Sequence, residues 1–195
     1  MRSAFAIVML CILSACAGAL LQSGTGAEAR FQHRELGYSI AYPSVLSEPG
    51  WEIERLENAD LLVRHPEGSL WSLASTCRAT SAGVETLAGE LARAAGGSAI
   101  GRATPIEHAG LEGLSQRLEG TEDGRSLEIK TVTLRGARCT YDWILIAPSE
   151  ARREALEPAF DAWWQSFEPG PGEFRNAGAS SISEGSLPSA EGAGP

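Results

Sequence analysis

The sequence predicts an α/β domain in which β-strands alternate with two helices. Two observations predict it: short alternating apolar runs bounded by glycine or proline, and two longer stretches with apolar residues at helical spacing. The chain has 195 residues, of which 43% are hydrophobic and 21% charged. That length suits one ordinary domain plus tails, and the composition excludes a wholly disordered or fibrous protein.

The first half of the domain is predicted to hold five strands and a helix. The strands are expected at residues 31–35, 38–42, 51–56, 60–65 and 69–77. The second strand ends at Pro43 because proline cannot donate to a sheet ladder. Apolar spacing predicts a helix over 84–95, which Thr80 or Ser81 caps and Gly96 ends.

The second half is predicted to form four longer strands and a closing helix. The strands are expected at residues 100–108, 113–119, 126–134 and 139–147. Glu128, Lys130 and Thr131 predict a solvated face on the third strand, and the apolar fourth strand is expected at the centre of the sheet. Ser149 is expected to cap a helix that reaches Phe167.

A proline interrupts the pattern of that closing helix. Pro158 lacks a backbone N–H, and its ring clashes with the preceding turn of a helix. The sequence therefore predicts that the helix ends or kinks near Glu157.

The N-terminus carries an export signal. Arg2 precedes eighteen uncharged residues, 4–21. Within them, Leu13-Ser14-Ala15-Cys16 resembles the lipobox of bacterial lipoproteins. The resemblance implies a signal peptide over residues 1–15, cleavage before Cys16 and diacylglyceryl attachment to its thiol, the group nucleophilic enough to take the lipid.

Two other interpretations of this segment stay open. Ala27-Glu28-Ala29 has the pattern of an ordinary signal-peptidase site, and cleavage before Arg30 would release a soluble protein. The uncharged stretch also reaches the length of a spanning helix, which would leave an uncleaved anchor.

Composition divides the mature chain into three parts. Residues 16–29 are small and polar and are predicted to form a flexible tether. Residues 169–195 are rich in Gly, Ser, Pro and Ala and are predicted to be a disordered tail. The folded unit is expected at residues 30–168, where 14 cationic and 21 anionic side chains give a net charge of −7.

The order of elements resembles the PsbP-like family. The resemblance rests on an opening hairpin with GYSIAYP, a last strand reading CTYDWILIAP and a closing helix that ends in WWQSF. It covers about residues 31–168. It implies an α/β/α sandwich with a mainly antiparallel central sheet, and a binding or assembly role without a catalytic motif. Fold alone does not fix function.

Two cysteines remain once Cys11 and Cys16 are assigned to the export segment. Cys77 ends one predicted strand and Cys139 begins another, and an exported protein meets an oxidising compartment. A disulfide between them is therefore expected. The alternative is two buried free thiols that behave as small hydrophobes.

No catalytic or metal-binding motif stands out. His33, His65 and His108 lie far apart in sequence, so no metal site is predicted. Gly113-Leu114-Ser115 begins like a nucleophile elbow, but the final glycine is missing. No cofactor is expected, and a net charge of −9 with a pI near 4.9 argues against nucleic acid as a partner.

The tryptophans offer the one aromatic hint of a binding surface. Trp143 and either Trp163 or Trp164 are expected in the core. Adjacent helical residues point about 100° apart, so the other tryptophan is expected to be buried at the boundary of the core, and the alternative is that it lines a groove edge or partner surface.

The sequence thus predicts an exported lipoprotein that is not an enzyme. Its anchor at Cys16 would hold it in the cell envelope, at the outer membrane or the periplasmic face, where it binds an unidentified protein partner or assists assembly. The alternative is a soluble secreted small-ligand carrier or hydrolase.

Overall fold

A computed structural model describes residues 21–23, 29–78 and 82–173 of the chain. It contains ten strands, two α-helices and a short 3-10 helix at Ser44–Ser47. The strands are β1 Leu21–Ser23, β2 Arg30–Gln32, β3 Ser39–Ala41, β4 Glu52–Glu54, β5 Leu61–Arg64, β6 Leu70–Cys77, β7 Gly97–His108, β8 Leu111–Glu122, β9 Arg125–Arg135 and β10 Cys139–Ala147. The helices are α1 Val84–Ala94 and α2 Glu150–Gln165.

A seven-stranded antiparallel sheet forms the middle layer. Its order is β4-β5-β6-β10-β9-β8-β7, so β10 lies at the centre as expected. Helix α1 packs on β7, β8 and β9, and helix α2 packs on β9 and β10 from the opposite face. The sequence prediction of an α/β/α sandwich with a mainly antiparallel sheet is confirmed. A small second sheet holds β1, β2 and β3.

The main core lies between the sheet and α2. Alternate residues of β10 point to this side because side chains alternate along a strand: Cys139, Tyr141, Trp143 and Leu145. Phe160 and Trp163 of α2 pack against Trp71 of β6, with ring centroids 5.4 and 5.7 Å apart. Burial of these large rings supplies most of the apolar contact that holds α2 to the sheet.

Helix α1 makes a smaller contact on the other face. Its buried residues Val84 and Ala88 meet Leu114 of β8. The N-cap is Gly83, which makes no side-chain capping bond, while Thr80 and Ser81 lie outside the described residues.

Two sequence predictions about α2 and its surroundings are wrong. The helix runs through Pro158 to Gln165, because Pro158 sits on the exposed side and Phe160 and Trp163 are held by burial beyond it. Lys130 and Thr131 are buried rather than solvated. Helix α2 covers Lys130, and Thr131 lies on the opposite face of the sheet, on which α1 packs. Ser149 caps α2 as expected, accepting a bond from the backbone N–H of Arg152.

The structure describes residues on both sides of the domain boundaries expected at 30 and 168. Strand β1 lies in the segment expected to be a tether, and it pairs with β2 of the domain. At the other end, residues up to Glu173 pack on the domain, so the ordered part continues past 168. The buried Glu173 carboxylate accepts bonds from the backbone N–H groups of Arg138 and Cys139, each at 3.2 Å.

A disulfide joins Cys77 and Cys139, the pair expected from the sequence. The two residues stand directly opposite each other in the β6–β10 ladder. The bridge therefore links the end of β6 to the start of the central strand.

Replacing Cys77 and Cys139 together by alanine is expected to lower the free energy of unfolding. The bridge closes a separation of 62 residues, which restricts the unfolded chain and contributes about 4 kcal/mol. Urea unfolding of the oxidised protein, followed by tryptophan fluorescence, measures the difference. An unchanged free energy of unfolding, or two reactive thiols at these positions in the oxidised protein, would contradict the bridge.

Candidate functional site

A groove opens beside α2 on the main core side of the sheet. Helix α2 covers β9 and β10 but leaves the outer strands β7 and β8 open. A register shift between Ile100 and Thr104 marks a bulge in β7 at the groove's outer wall. The cavity volume is about 540 Å³. Its lining residues are Ile100, Gly101, Arg102, Thr104, Ile106, Ser115, Gln116, Arg117, Lys130, Glu157, Asp161 and Trp164.

The floor of the groove is built on Lys130, the single lysine in the chain. Lys130 is only 7% exposed, and a buried ammonium must be paired. Its Nζ donates to Glu157 Oε1 at 2.8 Å and to Asp161 Oδ1 at 2.6 Å. The two carboxylates lie one turn apart on α2, so a single ammonium of the sheet binds the same face of the helix at two points.

A second cation reaches the same helix face. Arg117 of β8 donates to both carboxylate oxygens of Glu157, at 3.2 and 3.1 Å. Burial alone would raise the pKa of Glu157, but the bonds from Lys130 and Arg117 outweigh it and hold that pKa below its usual value. Glu157 is therefore a carboxylate held ionised between two cations.

Arg153 extends this ionic cluster beneath α2. Its guanidinium is 1% exposed and binds Glu157 one turn along the helix. It also lies 3.6 Å from Glu128 on β9 and 3.7 Å from Glu150 at the helix start. The buried charges are thus paired with one another, which leaves the floor fixed in shape and charge.

The rim of the groove offers groups that have no internal partner. Arg102 makes no hydrogen bond or ion pair with the residues that the structure describes. The side chain of Ile100 is 43% exposed. Trp164 forms the inner wall, and its indole N–H donates to Asp161 Oδ1 at 3.0 Å. The rim therefore presents one free cation and apolar surface above a compensated floor.

Both tryptophans of the closing helix are buried, at 3% and 7% exposure. Trp163 points to the core, where its indole N–H donates to the Ala41 carbonyl at 2.9 Å. Trp164 is buried at the boundary of the core and also lines the groove, so the two alternatives for this tryptophan hold together.

The histidines and the elbow-like serine lie apart. His33 stacks on Tyr38 and lies 3.6 Å from Asp60, and His108 bonds the Phe167 carbonyl at 2.9 Å. Ser115 lies inside strand β8, not at a strand-to-helix turn, although it lines the groove. Within 29–78 and 82–173, no three His, Cys, Asp or Glu side chains gather in a group that could hold a metal ion.

The lipidation site predicted at Cys16 lies outside the described residues. Of the described helices, none is long and apolar enough to cross a membrane.

The groove itself was not predicted from the sequence. Lys130 is the single lysine in a chain that otherwise uses arginine, but the neighbouring Glu128 and Thr131 gave this strand the pattern of a solvated face.

Comparison with known proteins supports the fold. No protein-family model and no curated protein matches the chain. The solution structure of cyanobacterial PsbP (CyanoP) from Synechocystis is similar, with a TM-score of 0.56 and 13% identity over 80% of this chain and 98% of that one. LpqN, involved in cell envelope biogenesis of Mycobacterium tuberculosis, is similar with a TM-score of 0.55 and 10% identity over 78% and 90% of the two chains. These likenesses show a PsbP-like fold.

Proposed function

We propose that the chain is an exported, non-enzymatic binding module, held in the cell envelope by a lipid on Cys16, which binds a protein partner in the α2 groove. The lipobox at 13–16 supports the anchor. The PsbP-like fold is shared with LpqN, whose description places it in cell envelope biogenesis, and this supports a role in the envelope.

One observation supports a binding role for the groove. The charged groups on its floor are paired with one another, whereas the groups on its rim are unpaired. Lys130 and Glu157 pair with each other and with Asp161 and Arg117, so the charges on the floor are already compensated within the protein. Arg102 and Ile100 on the rim have no internal role and are available to a ligand.

The rim also indicates the chemistry of the partner. Arg102 fits a carboxylate, and Ile100 with the wall at Trp164 fits an apolar side chain. An extended protein segment that carries both groups matches this surface. Tryptophan and arginine are both enriched among the residues that contribute most to binding at protein interfaces.

The anchor is tested by changing Cys16 to alanine in the full-length protein. We expect the native protein to begin at Cys16, to carry acyl groups and to sediment with membranes, because two or more chains are needed for stable anchoring. The Cys16→Ala variant should lose the lipid and leave the membrane fraction. Intact mass spectrometry with membrane fractionation measures both.

Cys11→Ala is the matched control, since Cys11 lies in the same apolar segment ahead of the lipobox. It should keep both the lipid and the membrane location. A native chain that begins at Arg30 without lipid would contradict the anchor and favour the soluble secreted carrier or hydrolase.

The groove is tested by placing a photo-crosslinking amino acid at Ile100 in the intact envelope. We expect a discrete crosslinked protein, because Ile100 stands on the rim of the proposed binding surface. The same probe at Ile53 is the control: that side chain has similar exposure, 48% against 43%, but lies on β4 at the opposite edge of the sheet. The adduct from position 100 should also disappear when Arg102 is changed to Glu.

Equal adducts from positions 53 and 100, or none from position 100, would contradict groove binding. Mass spectrometry of the crosslinked bands gives the measurement.

A further inference from the structure

A second, smaller cavity lies on the opposite face of the sheet. Helix α1 leans over β9, and a space of about 180 Å³ remains between the helix and the strands β6 and β10. Leu87, Leu91 and Ala94 of α1 form an apolar wall. The cavity is separated from the α2 groove by the sheet, so it is an independent site.

The floor of this cavity is polar. Asp142 of β10 lies on it, flanked by Thr76 and Thr140, which stand opposite each other in the β6–β10 ladder. Thr133 donates to Asp142 Oδ1 at 2.8 Å. Among the described residues, none donates to Asp142 Oδ2, and neither Thr76 nor Thr140 has a side-chain hydrogen bond. A carboxylate oxygen and two hydroxyls therefore face the space without partners from the described part of the chain.

The charges around the cavity are negative in sum. Glu90 of α1 stands at the rim, where Arg78 pairs with it at 3.5 Å. That pairing leaves Asp142 without a cation. Burial raises the pKa of Asp142 to about 6, while the Thr133 bond lowers it and the charge of Glu90 raises it further. Burial makes the ionised form of Asp142 energetically unfavourable, and a nearby cation would stabilise that form.

We propose that this cavity binds a primary ammonium group on a short apolar chain, with Asp142 as the counterion. The ammonium has three donors, which suit the free oxygen of Asp142 and the hydroxyls of Thr76 and Thr140. The wall of Leu87 and Leu91 takes the alkyl chain.

An organic amine fits this site better than a metal ion. Calcium takes six to eight oxygen ligands, whereas the cavity offers one unpaired carboxylate among the described residues. The apolar wall gives a hydrated metal ion no contact, but it gives an alkyl chain a surface to bury.

The test is calorimetric titration of the full-length protein with n-butylammonium chloride at pH 7.5. We expect measurable binding, and no binding of n-butanol, which has the same chain without the charge. Asp142→Asn should weaken the affinity at least about tenfold, since a charge-assisted bond is lost. Its amide still accepts the bond from Thr133, so the fold is expected to survive. Asp123→Asn, at an exposed turn, is the matched control and should bind as the native protein does.

The affinity should also fall as the pH drops from 7.5 to 5, because protonation of Asp142 removes the counterion. Glu90 and Arg78 are the other charged groups at the cavity, so Glu90→Gln should leave this pH dependence in place.

A second variant avoids any change of charge: Ala94→Leu fills the cavity wall and should abolish binding. Equal binding of butanol, an unchanged affinity in Asp142→Asn or Ala94→Leu, or no binding of butylammonium at millimolar concentration would overturn the proposal.

Discussion

The buried ammonium of Lys130 is the constraint around which the α2 side of the molecule is arranged. A cation only 7% exposed must find anions, and the helix supplies Glu157 and Asp161 on successive turns. This pairing fixes the rotation of α2 on the sheet. In that orientation Trp163 points into the core and Trp164 points to the groove, so the core and the candidate binding surface depend on the same placement of α2.

The fold was largely predictable because it rests on local patterns. Alternation and turn residues located nine strands and both helices, and the apolar run at 141–146 placed β10 at the centre of the sheet. The wrong predictions share a tertiary cause. Pro158 is tolerated because the residues after it are held by burial, and Lys130 is buried because a distant helix brings its counterions. Neither the burial of the residues after Pro158 nor the counterions of Lys130 can be predicted from local sequence patterns.

The two faces of the sheet differ in what they offer. The α2 face carries paired buried charges and a wide groove, which suits a macromolecular partner. The α1 face carries a small cavity over an incompletely bonded Asp142. The sequence revealed neither site, because each is formed between a helix and strands that lie far from one another along the chain. It did reveal the export signal, since targeting segments are recognised as linear sequence rather than as folded surface.

The most direct test of this account is the stability of Lys130→Met as a function of pH. The pKa of Glu157 is lowered in the fold from its usual 4.5, so its contribution is present above that pH and is lost as the pH falls through the folded value. Removing the ammonium leaves Asp161 without its cation and Glu157 with only Arg117 and Arg153, so we predict a loss of about 3 kcal/mol in the free energy of unfolding at pH 7. The loss should be smaller at about pH 3 than at pH 7, because Glu157 loses its charge as the pH falls through its pKa, and Glu157→Gln with Asp161→Asn should restore stability to the variant. A Lys130→Met protein as stable as the native one at pH 7, or one equally destabilised at both pH values, would contradict the account.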